Sequence, residues 1–355
     1  MESPLPTALK HSNQYPENLL PSLRSIKFVC PRCSAQLDVL GDGYECLACH
    51  KKYTLHDGIP DFRVFPDPFL SFQEDHERTN IVLAALEKFN LEKLLEHYWS
   101  FSDITPVTLR PKFIRSAVLG ELRAERTLEI LKDNTDKQQI NRVLEIGSGT
   151  GNFLAVASPL YEQVIGIDIG MRWLHVSRRR FMDKGLPIPP LVCCCDEFLP
   201  FADDSFDLIV ASSTLEFVRD RSKVFSECAR TLEKGGILYV NSVNRYSIGR
   251  DPYAYLWGVG FLPRRWQARY VRWRRDASYG NIKTLSYREL KLLSEKYLSI
   301  KKIALPEAAP TVLKEFSLGM RVQINAYRLL KKLPPFSFLF KWVGPGWDVI
   351  FQKDF

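Results

Sequence analysis

Two stretches carry residue types whose spacing can do chemistry. The first is Cys30/Cys33 and Cys46/Cys49, two Cys-x-x-Cys turns twelve residues apart. Zinc takes four soft ligands in a tetrahedron, and each such turn offers two sulfurs. Four thiolates close the coordination sphere, whereas a catalytic zinc keeps one position open for water. The pattern therefore predicts a structural metal, with Gly41 and Gly43 in the hairpin between the turns and His50 facing solvent. The second stretch is "RVLEIGSGTGNFLAVA" at 142–157, where an apolar run meets Gly147, Gly149 and Gly151 and then an apolar helix. Glycines let a backbone turn sharply and approach a ligand with no Cβ in the way. The next apolar run, "QVIGID", ends in Asp168, 21 residues after Gly147. That distance suits a carboxylate accepting from a ribose diol. Dinucleotide sites want G-x-G-x-x-G. Here the spacing is G-x-G-x-G, with Asn152 in place of the third glycine, and Glu145 stands at the strand tip. An acid there repels a pyrophosphate and favours a ligand carrying an ammonium and a sulfonium.

These residues need elements to hold them. Val143–Ile146 and "QVIGID" read as strands that feed helices, the pattern of a doubly wound sheet. Residues 64–141 read as mostly helical: Ile81, Leu83, Leu86, Phe89, Leu91, Leu94 and Leu95 fall at helical spacing, as do Phe113, Val118, Leu122, Leu128 and Leu131. Pro106 and Pro111 mark a loop between them. Tyr98 and Trp99 end the first helix, either as core or as part of a lid over a substrate site. The 355 residues, 45% hydrophobic, allow one sizeable core plus a smaller module. Residues 1–26, with four prolines, read as a disordered tail rather than a secretory signal. The longest apolar runs, "LVCCC" and "FLAVA", fall far short of the roughly 20 residues that span a bilayer. Outside the two turns, Cys193–Cys195 are consecutive and Cys228 is alone. That is no disulfide framework. The triplet reads as small apolar filler in a buried strand, and the cysteine usage points to a reducing cytoplasm.

Taken together, "VLEIGSGTG", "IGIDIG", "CCCDEFLPFADDSFDLIVASSTLEFV" and "ECARTLEKGGILYVNSVNR" resemble, in order, the motifs of class I S-adenosylmethionine-dependent methyltransferases over residues 141–245. The resemblance implies cofactor contacts from Glu145, Gly147, Gly149, Asp168, Ile169, Asp196 and Glu197. Asp196 would accept from the adenine amino group, and the Glu197 backbone would reach an adenine ring nitrogen. "CPRC…YECLACHKKYTLHDGIPDFR" resembles the zinc ribbon that often precedes bacterial methyltransferase domains. One departure matters. The family commonly reads Leu-Glu-His after its fourth strand, and here the run is Leu215-Glu216-Phe217. No base carries over from that histidine, and Glu216 is left as the acceptor-side candidate. In-line alignment supplies most of the catalysis in such a site, because the sulfonium is already a good leaving group. A hydroxyl acceptor would still have to lose its proton.

Charge is unevenly spread. Residues 1–244 hold 28 Lys/Arg and 33 Asp/Glu, while residues 245–355 hold 21 and 8, a net +13. After Asn244 the chain inserts about 40 residues where the fold places substrate-side loops. Within them "RRWQARYVRWRR" sets Trp266, Tyr270 and Trp273 on one helical face, with arginines on much of the rest. Three readings compete: a helix lying in a membrane interface, a nucleic-acid surface, or a helix packed on its own core with a solvated basic face. The insert also resembles one in uncharacterised bacterial methyltransferases, some of them associated with cell-envelope or glycan pathways, where an acid-Pro-His triplet is common. Here it is Asp251-Pro252-Tyr253, which leaves Asp251 as a second candidate base. Phe336, Phe338, Leu339, Phe340 and Trp342, with lysines nearby, suit peripheral membrane contact, partner docking or a buried hairpin.

The expectation is thus an α/β protein: a disordered tail (1–26), a zinc ribbon (27–63), a helical linker or lid (64–140), and a doubly wound, mostly parallel seven-stranded methyltransferase domain (141–355). Residues 246–285 and 311–345 form its substrate-side or interfacial insertions. The leading acceptor is a polar metabolite, saccharide or lipid-linked intermediate, handled in the cytoplasm at the inner face of a membrane. RNA methylation is the second reading, and a non-catalytic cofactor-fold scaffold the third.

Overall fold

The computed structural model describes residues 21–41, 43–101, 105–135, 139–307 and 318–354. Most of the expected tail lies outside these residues. Within it, however, Pro21–Leu23 form a 3-10 turn, and Leu23 is fully buried in the core, so ordered chain begins before residue 27. Part of the 311–345 insertion also falls outside the described residues.

The N-terminal ribbon is an antiparallel sheet of β1 (Leu37–Leu40), β2 (Gly43–Cys46), β3 (Lys52–His56) and β4 (Ile59–Pro60). So few residues bury little apolar surface of their own, and the ribbon instead shares a core with the large domain. The rings of Phe28, Tyr44, Tyr53 and Phe62 cluster at centroid distances of 5.0–5.6 Å, and Phe28 reaches Phe201 at 5.9 Å. Just past β4, the Phe62 amide donates to the Cys193 carbonyl at 2.7 Å, which attaches the ribbon to the edge of the main sheet.

That sheet holds β5 (Arg142–Ile146), β6 (Gln163–Asp168), β7 (Leu191–Cys193), β8 (Phe206–Ser212), β9 (Leu232–Val243), β10 (Ser299–Ala304) and β11 (Gly346–Gln352) in the order β10-β11-β9-β8-β5-β6-β7. β5 to β9 pair in parallel, and β11 runs antiparallel to both its neighbours. Parallel strands need crossover helices on both faces, so they are buried and largely apolar; all of β6 but its first residue is buried. The expected seven-stranded doubly wound fold with a small ribbon is what forms. Its order reverses between β5 and β8, where such folds open a crevice at the carboxyl ends of the strands.

Four helices precede the sheet: α1 (Phe72–Leu86), α2 (Leu91–Ser100), α3 (Arg110–Val118) and α4 (Glu121–Lys132). Ser71 and Glu74 close α1 with a reciprocal capping box, and Asn90 caps α2. Their apolar faces meet α6 (Met171–Lys184) through Val82, Leu94, Leu95, Trp99 and Val176. The short helix α5 (Asn152–Ala157) follows the glycine loop, and α7 (Arg221–Thr231) follows β8. The C-terminal third adds α8 (Arg264–Arg275), α9 (Tyr287–Ser294), α10 (Leu318–Leu330) and α11 (Pro334–Val343).

Candidate active site

Gly147, Gly149 and Gly151 all take positive φ, at 64°, 51° and 74°. At two of them space also demands glycine. A Cβ on Gly147 would stand 2.2 Å from Thr214 Oγ1, and one on Gly151 would stand 2.1 Å from Ser177 Oγ. The resulting loop lies over the tip of β5. Asp168, at the tip of β6, accepts from the Gly149 amide at 2.8 Å through one oxygen and from the Gly170 amide at 2.8 Å through the other. A carboxylate has about four acceptor positions, so roughly two remain for a ligand. Burial pushes the Asp168 pKa up to about 6, against the pull of those two amides and of Arg172.

Beside these residues opens a cavity of about 390 Å³. Gly147, Gly149, Asp168, Ile169, Asp196 and Glu197 are among its lining residues. Burial, reinforced by the neighbouring Glu197 and Asp168, raises the Asp196 pKa well above the carboxylate range, and Thr214 Oγ1 donates to it at 3.1 Å. The Glu197 side chain accepts from the amides of Arg219 (2.7 Å) and Asp220 (3.1 Å), which shapes the turn before α7. Six aromatic residues line the same cavity: Phe65, Phe69, Trp99, Phe113, Trp173 and Phe217.

Three expected site residues lie elsewhere. Glu145 is buried but does not line the cavity. Strand side chains alternate, so Glu145 shares the face of Val143 and points towards α5 and α6 rather than the ligand. Burial raises its pKa well above normal, and its Oε2 has no partner among the described residues. Glu216 is fully buried and also outside the cavity. Its Oε1 accepts from Ser242 Oγ and the Val243 amide, both at 2.8 Å, so it ties the end of β9 to the loop after β8. Asp251 closes its own turn: Oδ1 accepts from the amides of Tyr253 (2.9 Å) and Ala254 (2.8 Å), and Oδ2 from Tyr279 Oη at 2.5 Å. Neither acid faces the cavity as a base. Phe217, at the position where the family commonly has histidine, does line it.

The sequence reading missed the residues that brace the site. Arg63, at the end of the ribbon, forms a paired bond to Asp61 (2.9 and 2.6 Å), reaches Asp75 of α1 at 2.6 Å and donates to the Ile169 carbonyl at 3.1 Å. Arg172 of α6, on the cavity wall, bonds Asp75, Asp67 (2.9 Å) and Tyr98 Oη (3.0 Å). Burial works against its charge, but Tyr98, Asp67 and Asp75 raise its pKa above the ordinary arginine value. Asp75, with no exposed surface, thus joins the ribbon, the helical segment and the cavity wall. Arg180 fastens the other end of the helical segment: it donates at 2.7 Å each to Thr150 O in the glycine loop, Glu121 and Ala117 O. Apart from Arg63–Asp61, two residues apart, none of these pairs has a sequence-local signature. A weak signal for the aromatic wall existed in Trp99 and in Trp173, five residues past Asp168.

The four cysteine sulfurs lie within 4.8 Å of one another, with Cys30–Cys49 at 3.7 Å and Cys33–Cys46 at 3.4 Å. A tetrahedral zinc with bonds of about 2.3 Å sets its sulfurs roughly 3.8 Å apart, so the donor set fits that ion. No disulfide forms among them.

Comparison with known proteins agrees with this geometry. Residues 144–240 match the family described as a methyltransferase domain. A ubiquinone biosynthesis O-methyltransferase of Saccharophagus degradans is 24% identical over 187 residues, 52% of this chain and 69% of the relative. A phosphatidylethanolamine N-methyltransferase of Cereibacter sphaeroides is 35% identical over 117 residues, 32% of this chain and 55% of the relative. Some curated relatives are thus matched over only about half their length. Among solved structures, the YcgJ protein of Bacillus subtilis is similar over 64% of this chain and 96% of its own, at 17% identity and a TM-score of 0.41. The glycine loop, Asp168 and Asp196 all fall within the matched residues, and the match and these relatives identify an S-adenosylmethionine-dependent methyltransferase domain in this chain.

Proposed function

We propose that the protein transfers a methyl group from S-adenosylmethionine to a small, largely apolar or lipid-linked acceptor, and that its ribbon holds a structural zinc. One cavity carries this reading, because it is lined both by the glycine loop with Asp168 and by six aromatic rings. When bound, S-adenosylmethionine supplies a methyl on a sulfonium, already activated for transfer. The rest is positioning by this chain's own residues. Asp168 would hold the ribose diol with its remaining acceptor positions, and Asp196 and Glu197 would flank the base. The rings of Trp99, Phe113, Trp173 and Phe217 would exclude water and set the acceptor in line.

The lining also limits the acceptor. Among the described residues on the cavity wall there is no histidine, lysine, cysteine or tyrosine. The acids there are Asp67, paired with Arg172, and the three on the cofactor side. A nucleophile that is already ionised or carries a free lone pair, such as a carboxylate, phenolate or amine, suits this wall better than an alcohol. We place the reaction in the cytoplasm, in keeping with unpaired cysteines at the ribbon. The test is transfer of a labelled methyl from S-adenosylmethionine into cell extract. Label in the organic-solvent phase supports the proposal. Label in RNA would replace it with nucleic-acid methylation, and cofactor binding with no transfer at all would favour a scaffold.

A further inference from the structure

Among the described residues, fourteen of the nineteen large apolar side chains that remain exposed lie beyond residue 245, in the third of the chain with net charge +13. Their arrangement is specific. Helix α8 packs through Gln267 and Val271, which leaves Trp266 and Trp273 outside at 53% and 75% exposure. Arg265 lies 5.5 Å from the Trp266 ring and Arg274 lies 5.2 Å from the Trp273 ring, so cation and ring are presented together. On α10, Leu318, Val322 and Leu329 share a stripe and are exposed. The inner side of the α10–α11 pair closes through Tyr327 and Phe340 at 5.0 Å, while Phe338, Leu339 and Trp342 of α11 stay outside.

Both elements pack on α9. Arg264 of α8 bonds the Thr284 carbonyl (3.1 Å) and Glu289 (2.8 Å), at the start of α9. Tyr287, in the same first turn, stacks edge-on against Trp342 at 5.0 Å. The insertion that carries α8 also backs the cavity, since the Tyr253 ring meets Phe217 at 5.2 Å. No helix among the described residues is long and apolar enough to cross a membrane.

We propose that α8 together with α10 and α11 docks the protein on an anionic lipid surface. Tryptophans and leucines enter the headgroup boundary and the arginines meet lipid phosphate, the arrangement by which amphipathic helices bind in the plane of a bilayer. Charge complementarity selects this occupant. A nucleic acid would use the arginines and the tryptophans, but it offers nothing to the aliphatic stripe of α10 and the face of α11. The inference deepens the proposed function, on which it rests for its meaning: an apolar acceptor would be met at the surface where it resides. Its test is independent of methyl transfer, because lipid binding is read without acceptor or cofactor.

The full chain is sedimented with vesicles of phosphatidylcholine mixed with phosphatidylglycerol and, separately, of phosphatidylcholine alone. Binding to the mixed vesicles is expected, with a blue shift of tryptophan emission and weakening by salt. Arg272→Gln and Arg274→Gln are each expected to weaken binding about fivefold. Trp273→Ser combined with Phe338→Ser should remove the emission shift. All four side chains are exposed or sit on an exposed face, and unchanged binding of S-adenosylhomocysteine verifies that the variants are folded. Absence of sedimentation with mixed vesicles, or binding indifferent to these substitutions, overturns the proposal. Tight binding to an unstructured RNA oligonucleotide without vesicle binding would assign the surface to nucleic acid instead.

Discussion

Asp75 should matter more than any single residue of the helical segment, although it lies outside the motifs and does not line the cavity. Its carboxylate has no exposed surface and accepts from Arg63, Arg172 and the Met171 amide. Asp75→Asn keeps the shape and removes the charge, so two nearly buried guanidinium groups lose their common partner. Breaking a buried pair on one side costs about 3–5 kcal/mol. Arg63 retains Asp61 and Arg172 retains Asp67, so the lower end, about 3 kcal/mol, is the expected loss. Against a typical total of about 5–15 kcal/mol the protein should still fold. The loss should also reach the cofactor side, because Arg63 holds the Ile169 carbonyl and Arg172 forms part of the wall. A weakening of S-adenosylhomocysteine binding by about tenfold corresponds to only 1.4 kcal/mol. Urea unfolding and calorimetric titration measure the two effects. A variant within about 0.5 kcal/mol of wild type and with unchanged affinity would refute the bracing role, since that is the range of ordinary surface substitutions.

Other consequences are as direct. Asp168→Ala should abolish cofactor binding, and in the wild type, affinity should hold above pH about 6 and fall roughly tenfold per pH unit below it, because the ribose diol needs the ionised carboxyl; calorimetry across that range checks this. The sign for the free protein is opposite: the folded pKa lies above the ordinary 3.8, so this group's contribution to stability declines as pH rises through that window. Gly151→Ala places a Cβ against Ser177 in a left-handed conformation and should cost at least about 1–3 kcal/mol by chemical denaturation. Metal chelation should lower both thermal stability and cofactor affinity, because Phe28, Tyr44 and Phe62 of the ribbon share a core with Phe201 and Ile167; unchanged affinity in calorimetry after chelation would show the ribbon to be uncoupled.

What the sequence disclosed follows from locality. The glycine loop, Asp168, Asp196 and the four cysteines are read from short spacings, because a turn, a strand tip or a metal site is built from near neighbours. Arg63, Asp75 and Arg172 are separated by 12 and 97 residues, and only the tertiary fold brings them together. Glu145 shows a subtler gap. Its position at a strand tip suggested a ligand contact, yet strand alternation sends it to the helix side with Val143. The α8 pattern leaves a different gap: Trp266, Tyr270 and Trp273 form a face by spacing, and only the structure adds that Gln267 and Val271 form the buried one. Spacing identifies a face without saying what covers it. The ribbon looked self-contained because its metal turns are local, whereas its aromatic residues pack onto a sheet that begins a hundred residues later.

The cavity beside Asp168 is the site proposed to receive S-adenosylmethionine. A crystal grown with S-adenosylhomocysteine tests it most directly. Density is expected along the glycine loop, with ribose hydroxyls on Asp168 and the base between Ile169, Asp196 and Glu197. Density elsewhere, or an empty cavity at saturating ligand, would contradict it.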